Sequence, residues 1–195
     1  MGKIYCVMGK SASGKDTVYQ RILAARPDLR EYVMYSTRPM RAGETDGVTY
    51  HFVDSAFIGE AGKQGKLIES RTYETVKGPW TYATLDDGQI DTNTASYLMP
   101  ATLESYRALS AYFGEETVVP VYIEVEDGER LLRAIRREKE QAVPQYREMC
   151  RRFLADCDDF SEEKLAAARI GKRYRNDDLE TCVREILGEM KDARE

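Results

Sequence analysis

The run Gly9-Lys10-Ser11-Ala12-Ser13-Gly14-Lys15-Asp16-Thr17, set directly behind the apolar segment Ile4-Tyr5-Cys6-Val7-Met8, constrains this chain more than any other stretch. Two glycines bracket four residues, so successive backbone N–H groups can turn inward toward an anion while Lys15 adds a mobile positive charge where loop becomes helix. Val18, Ile22 and Ala25 then fall on one side of a helical pattern. A Gly/Ser-rich turn between a strand and a helix is the bland alternative, and the agreement of strand, loop and helix patterns argues against it. The reading is a phosphate-binding loop for a nucleoside triphosphate, with Gly9, Lys10, Ser11, Ala12, Ser13, Gly14, Lys15, Asp16 and Thr17 as candidate ATP-binding residues. Asp16 stands where a hydroxyl residue usually follows the lysine, and the hydroxyl comes one step later at Thr17. Thr17 and Asp16 are therefore candidate oxygen ligands for Mg²⁺ carried with ATP, although Asp16 can equally point outward or, unpaired, repel the triphosphate.

Composition narrows the partner. With 195 residues and 42% apolar content the chain can bury a real core as a single domain with an inserted lobe. A net charge of −5 speaks against general nucleic-acid binding, which uses a basic face, and favours a small anion. Cys6, Cys150, Cys157 and Cys182 lie far apart with no C-x-x-C pair, so neither a zinc site nor a disulfide framework is expected. No apolar run is long enough for a bilayer span and no leader pattern opens the chain, so a cytoplasmic protein with no membrane partner is expected. His51 is the only histidine and sits in the alternating run Tyr50-His51-Phe52-Val53, where an ordinary surface histidine is the better reading than a catalyst.

Strand-like apolar runs recur at Ile4 to Met8, Tyr32 to Tyr35, Tyr97 to Met99, Val118 to Val125 and Ile170 to Tyr174, with helical patterns between most of them. This predicts an α/β fold with a parallel central sheet. The segment from about Arg38 to Asp91 changes character, rich in Gly, Thr and Tyr with alternating pieces at Lys66 to Thr72 and Trp80 to Leu85, and reads as an inserted β-rich lobe. Helices are predicted over Ala101 to Phe113, from Asp127 through Ile135, over about Gln145 to Asp158, and after a cap at Asp177 or Asp178.

Ser36-Thr37-Arg38-Pro39-Met40-Arg41-Ala42-Gly43-Glu44-Thr45-Asp46-Gly47-Val48-Thr49-Tyr50-His51-Phe52 resembles the guanylate kinase signature T-T-R-x-x-R-x-G-E-x-(D/N)-G-x-x-Y-x-F, Ser36 for Thr being the exception. Guanidinium forks bind phosphate oxygens bidentately and a phenol adds one more donor, so Arg38, Arg41 and Tyr50 suit a clamp on an acceptor monophosphate. The resemblance continues at Glu69 and at Tyr82-Ala83-Thr84, similar to the family's Y-G-(S/T). It implies that Tyr82 joins the phosphate clamp, that Thr84 bonds the base, and that Glu69 selects guanine, whose N1–H and 2-amino group present two parallel donors to a carboxylate. Arg173-Tyr174-Arg175-Asn176-Asp177-Asp178-Leu179 resembles the family's strand and N-D-D-L, which implies Asn176 beside the adenine of ATP. Arg136 and Arg152 fall where the family carries lid arginines. A helix with many charges is otherwise a solvated face.

The resemblance thus implies a P-loop NTPase architecture of three α/β/α layers: a core at 1–35, 95–135 and 153–195, a monophosphate-binding lobe at about 36–94, and a helical lid at about 136–152. It implies phosphoryl transfer from ATP to GMP or dGMP with Mg²⁺ as cofactor and with Lys15, Arg38, Arg136 and Arg152 as catalytic residues. Departures from the pattern are concentrated near the acceptor. The family's D-x-D falls in Tyr97-Leu98-Met99-Pro100-Ala101-Thr102, which holds no acid, while Asp86 to Asp91 could supply a substitute. Lys77-Gly78-Pro79-Trp80 lengthens the stretch before Tyr82, Met34 replaces a phosphate-contacting serine, and Glu138 takes a lid-arginine position beside Arg137. Two rivals follow: a kinase for another nucleoside monophosphate or small phosphorylated acceptor, and a binding module of the same shape with weak turnover.

Overall fold

The computed structural model describes residues 1–75 and 78–192. Strand β1 (Ile4–Met8) is buried along its whole length, which is why it reads as a continuous apolar run and not as an alternating one. Its odd and even residues feed two different cores. Ile4, Cys6 and Met8 pack with Leu103, Tyr106, Leu109 and Leu165, whereas Tyr5 and Val7 pack with Val18, Ile22, Val183 and Ile186. Those partners belong to helices on opposite faces of one sheet, and three layers result.

The chain reaches this arrangement through α1 (Lys15–Ala25), β2 (Arg30–Glu31), β3 (Tyr35–Ser36), β4 (His51–Phe52), α2 (Ser55–Lys63), β5 (Leu67–Thr75), β6 (Gly78–Leu85), β7 (Tyr97–Pro100), α3 (Leu103–Phe113) and β8 (Val118–Glu124). It continues through α4 (Asp127–Lys139), α5 (Tyr146–Asp159), α6 (Glu162–Ala167), β9 (Tyr174–Arg175) and α7 (Leu179–Asp192). The main sheet has the order β2-β7-β1-β8-β9, all parallel, with Val7 opposite both Pro100 and Val121. Helices α1 and α7 cover one face, α3 and α6 the other. A second sheet, β4-β3-β6-β5, is antiparallel except for β3 beside β4, and α2 closes one side of it through Ile58 and Ala61 against Ala83 and Leu85.

Several expected elements shift. The core strand expected at Tyr32 to Tyr35 divides in two: Arg30–Glu31 pairs with β7, and Tyr35–Ser36 joins the second sheet. Between them Tyr32 and Met34 are buried, but their stretch is a connector. The Tyr32 hydroxyl donates to Leu85 O and accepts from Leu85 N, and Val33 N donates to the Gln89 side chain. At the far end Ile170 is buried as well, yet its N–H donates to Leu165 O and closes α6, so β9 keeps only Tyr174–Arg175. Helices α2 and α6 had not been anticipated; Asp54 and Ser161 cap them by accepting from Phe57 N and Lys164 N. The last helix starts as expected, with Asp178 accepting from Thr181 N. Among the described residues, no helix is long and apolar enough to cross a membrane.

Candidate active site

The loop at residues 9–14 leaves the C-terminal end of the central strand and enters α1 through Gly14 at φ 79, with no side chain capping the helix. Ala12 is also left-handed, at φ 62, a conformation that costs a non-glycine residue about 1–2 kcal/mol. Such turns point successive N–H groups into one concavity, and an uncapped helix start adds further unsatisfied donors there. Gly14 is doubly required, because a Cβ on it would stand 2.4 Å from Asn176 Nδ2. That amide donates to Ser13 O at 2.7 Å, and Asn176 O accepts from Arg133 Nη2 at 3.2 Å. Asn176, expected beside adenine, is 5% exposed and uses its side chain to brace the loop from behind.

Other loop side chains are partly engaged. Lys15 Nζ lies 2.5 Å from Asp16 Oδ1, which gives the 92%-exposed Asp16 carboxylate a cationic partner at the mouth of the loop. Lys10 turns away to Asp127 at the start of α4, 3.2 Å off. From α5, Asp156 accepts from Ser11 N at 2.8 Å and Arg152 donates to Ser11 Oγ at 3.2 Å. Ser13 Oγ is buried with no hydrogen-bond partner among the described residues. Arg152 is thus brought to the loop, while Arg136 is exposed on α4. Glu138, in its expected lid position, is buried and braces the α4–α5 turn by accepting from Gln145 N and the Gln141 amide.

The second cluster is built on one face of the β5–β6 hairpin. Residues directly opposite across a strand pair share a face, and the observed pairs are Glu69 with Thr84, Arg71 with Tyr82 and Tyr73 with Trp80. The intervening Ala83 and Leu85 pack instead on α2. Thr84 Oγ1 donates to Glu69 Oε1 at 2.8 Å, Arg71 Nε donates to Glu69 Oε2 at 3.2 Å, and Arg71 Nη1 donates to Thr102 Oγ1 at 2.7 Å. Thr102 is the N-cap of α3. Because Ala101 N donates to Val7 O, this bond ties the hairpin to the same sheet edge from which the phosphate loop springs. Open parallel sheets bind ligands outside that edge.

Beside it, Arg38 is 5% exposed and held by Glu44, with Nη1 to Oε2 at 2.7 Å, Nη2 to Oε1 at 2.5 Å, and Nη1 also to Pro39 O. Its guanidinium lies 4.9 Å from the Tyr50 ring centroid and 5.2 Å from that of Phe52. Glu44 also accepts from Arg41 N, and these hydrogen bonds, Arg38's first, hold its carboxyl at about 2. Tyr50 and Tyr82 meet edge to face at 5.6 Å, and burial followed by the neighbouring Tyr82 raises the Tyr50 phenol above its ordinary value. Arg41 reaches toward Trp80, 6.0 Å from its centroid. The expected acceptor set Arg38, Arg41, Tyr50, Glu69, Tyr82 and Thr84 therefore gathers on one lobe.

The substitute acids do not. Gly2 N donates to Thr92 O, which puts that stretch at the N-terminal edge of the main sheet, opposite the loop. Asp86 and Asp87 accept from Tyr112 and Tyr35 hydroxyls, and Asp91 accepts from Asn93 N. Among the described residues no group of three His, Cys, Asp or Glu could hold a metal alone. Thr17 and Asp16, in the first turn of α1, fit Mg²⁺ that arrives coordinated by phosphate and water. Lys77 lies outside the described residues. Sequence reasoning missed Arg71, Thr102, Glu44 and Asp156; the two-residue period counted from Glu69 is the signal that leads to Arg71.

A phosphate loop on the central strand of a parallel sheet in this order defines a P-loop α/β nucleotide-binding fold. The guanylate kinase family model matches residues 1–160, and the chain belongs to that family. A guanylate kinase of Gluconobacter oxydans is 27% identical over 99% of this chain and 88% of its own. One from Chromobacterium violaceum is 36% identical, over 46% of this chain and 44% of the relative; the matches to two from Pseudomonas fluorescens span only 33% of those relatives' length. The crystal structure of guanylate kinase from Anaplasma phagocytophilum shares the fold, with a TM-score of 0.67 at 21% identity over 98% of this chain and 85% of that one.

Proposed function

We propose that the protein transfers the γ-phosphoryl group of MgATP to GMP or dGMP, giving ADP and the guanine nucleoside diphosphate. The observation that carries this reading is the Glu69–Arg71–Thr102 chain, which fixes a carboxylate able to read guanine at the sheet edge that bears the phosphate loop. The loop amides and Lys15 bind the donor phosphates, and Thr17 with Asp16 would hold the Mg²⁺ arriving with ATP, which would supply charge neutralisation on the phosphates. The acceptor phosphate is already ionised and needs no base, so alignment does most of the catalysis. Arg38 has two of its five N–H groups on Glu44 and one on Pro39 O, which leaves two for the acceptor phosphate. Arg41, Tyr50 and Tyr82 complete that clamp. Arg152, already at Ser11, stabilises charge on the transferring group; Arg136 approaches with closure of the α4–α5 region acting as a lid over residues 136–152.

A coupled assay over all nucleoside monophosphates, with and without Mg²⁺, tests the reading: GMP and dGMP are expected to be preferred and Mg²⁺ to be required. Equal rates with AMP or UMP would remove Glu69 from its role. One observation favours a weakly turning-over binding module instead, namely Asp156 on Ser11 N together with the acid-free stretch Tyr97 to Thr102. Calorimetry decides that point, since micromolar or tighter MgATP binding is expected of the enzyme and very weak binding of the module.

A further inference from the structure

Thr84 was expected to bond the base, but a hydroxyl has one hydrogen and this one is given to Glu69 Oε1, so Thr84 is left only to accept. The 6-oxo group of a guanine placed against Glu69 therefore takes its hydrogen bond from another residue. Arg71 adjoins the other carboxylate oxygen and is held at both ends, by Glu69 and by Thr102, with its side chain only 14% exposed. A guanidinium has five N–H groups; two are used, so three have no partner among the described residues.

We propose that Arg71 is a specificity-determining residue, the donor that reads the 6-oxo group, with N7, of a guanine-type acceptor next to Glu69. This rests on the proposed function and names how its base is chosen. Guanine presents donor, donor, acceptor along N2, N1 and O6; Glu69 with Arg71 presents acceptor, acceptor, donor. Adenine turns an amino group toward the guanidinium and a bare N1 toward the carboxylate, two mismatches at once. Xanthine sets a carbonyl against Glu69, and hypoxanthine fits but lacks one bond. Arginine paired with O6 and N7 is the commonest specific contact proteins make to guanine in the DNA major groove, so the pairing chemistry is well matched. The pair also lets a family member without D-x-D retain base selection from within the hairpin.

The test compares kcat/KM for GMP and for 6-thioguanosine monophosphate, which keeps N1–H and the 2-amino group but carries a weakly accepting sulfur in place of the 6-oxo oxygen, in wild type, Arg71→Met and Arg71→Lys, with MgATP as donor. The wild-type preference for GMP is expected to shrink by about 10- to 100-fold in Arg71→Met, mostly through KM, and by less in Arg71→Lys. The KM for ATP stays unchanged. Equal losses on both acceptors, with folding intact by circular dichroism, would assign Arg71 a purely structural role and overturn the proposal. Should Arg71→Met not fold, Arg71→Lys carries the same comparison, and an unchanged ratio there overturns it too. A wild type that phosphorylates no guanine nucleotide ends the proposed function and this inference together, an outcome visible before any variant is made.

Discussion

The loop proposed for the donor and the lobe proposed for the acceptor are built by different means. At residues 9–14 the binding groups are backbone amides, held by two left-handed residues and by Asn176 behind them, so little depends on which side chains the loop bears. On the β5–β6 hairpin the groups proposed to read the base are side chains at period two, so one substitution would rewrite the pattern. The difference explains where this chain departs from its family. The loop keeps its glycines and lysine with Asp16 directly after the lysine, whereas the stretch Tyr97 to Thr102 beside the hairpin holds no acid.

The sharpest contrast comes from Lys15→Met. Lys15 is the one loop side chain assigned to the donor phosphates, and its only described partner is the exposed Asp16. Turnover is expected to fall roughly 10²–10³-fold in kcat, as when one charge-stabilising donor is removed. Thermal unfolding should barely move, because exposed pairs contribute about 0–1 kcal/mol. A large drop in melting temperature would place Lys15 in the structural framework instead. Glu69→Gln probes the other side. It turns one acceptor into a donor facing the base and faces Arg71 with a neutral group, so kcat/KM for GMP should drop about 10- to 100-fold while the KM for ATP holds. An unaltered GMP rate would undo the account of base choice.

Gly14→Ala tests whether the donor loop is as backbone-determined as it looks. A methyl at φ 79 and 2.4 Å from Asn176 Nδ2 forces either the loop or its brace to move. The expected loss is about 1–2 kcal/mol of stability by chemical denaturation, together with weaker MgATP binding. A variant of full stability and affinity would mean that Asn176 yields freely and braces nothing.

The same contrast governs what the sequence disclosed. Strand, loop and helix from Ile4 to Ala25 were legible because backbone-determined structure is written in local spacing. The Arg38 to Phe52 signature was legible as a motif, yet the Arg38–Glu44 fork within it came only with coordinates. Arg71 carries no motif of its own, and only the register and its bonds set it between Glu69 and Thr102. Tyr32 and Met34 misled because burial need not mean strand: the Tyr32 hydroxyl bonds the Leu85 backbone and the Met34 carbonyl accepts from His51 N, both outside the main sheet. Helices α2 and α6 escaped because each is short and depends on one cap in a stretch whose composition suggests loops.

The smallest effect expected is at Glu44, and its sign is set by the direction of its shift. The folded carboxyl titrates at about 2, below its ordinary 4.5, because Arg38 and Arg41 N bond the charged form. A depressed carboxyl stabilises the fold above its unfolded value and loses that contribution as pH falls from about 4.5 toward 2. In Glu44→Gln the titration is gone, so the stability gap between wild type and variant should be present at pH 6 and narrow steadily between pH 4.5 and pH 2 in urea melts. At neutral pH the variant should also raise the KM for GMP a few-fold, since Arg38 loses the fork that aims it, while the KM for ATP stays put. A gap independent of pH would mean that Arg38 is held by the Tyr50 and Phe52 rings and Pro39 O alone, and that the acceptor clamp, like the donor loop, owes its geometry to the surrounding framework.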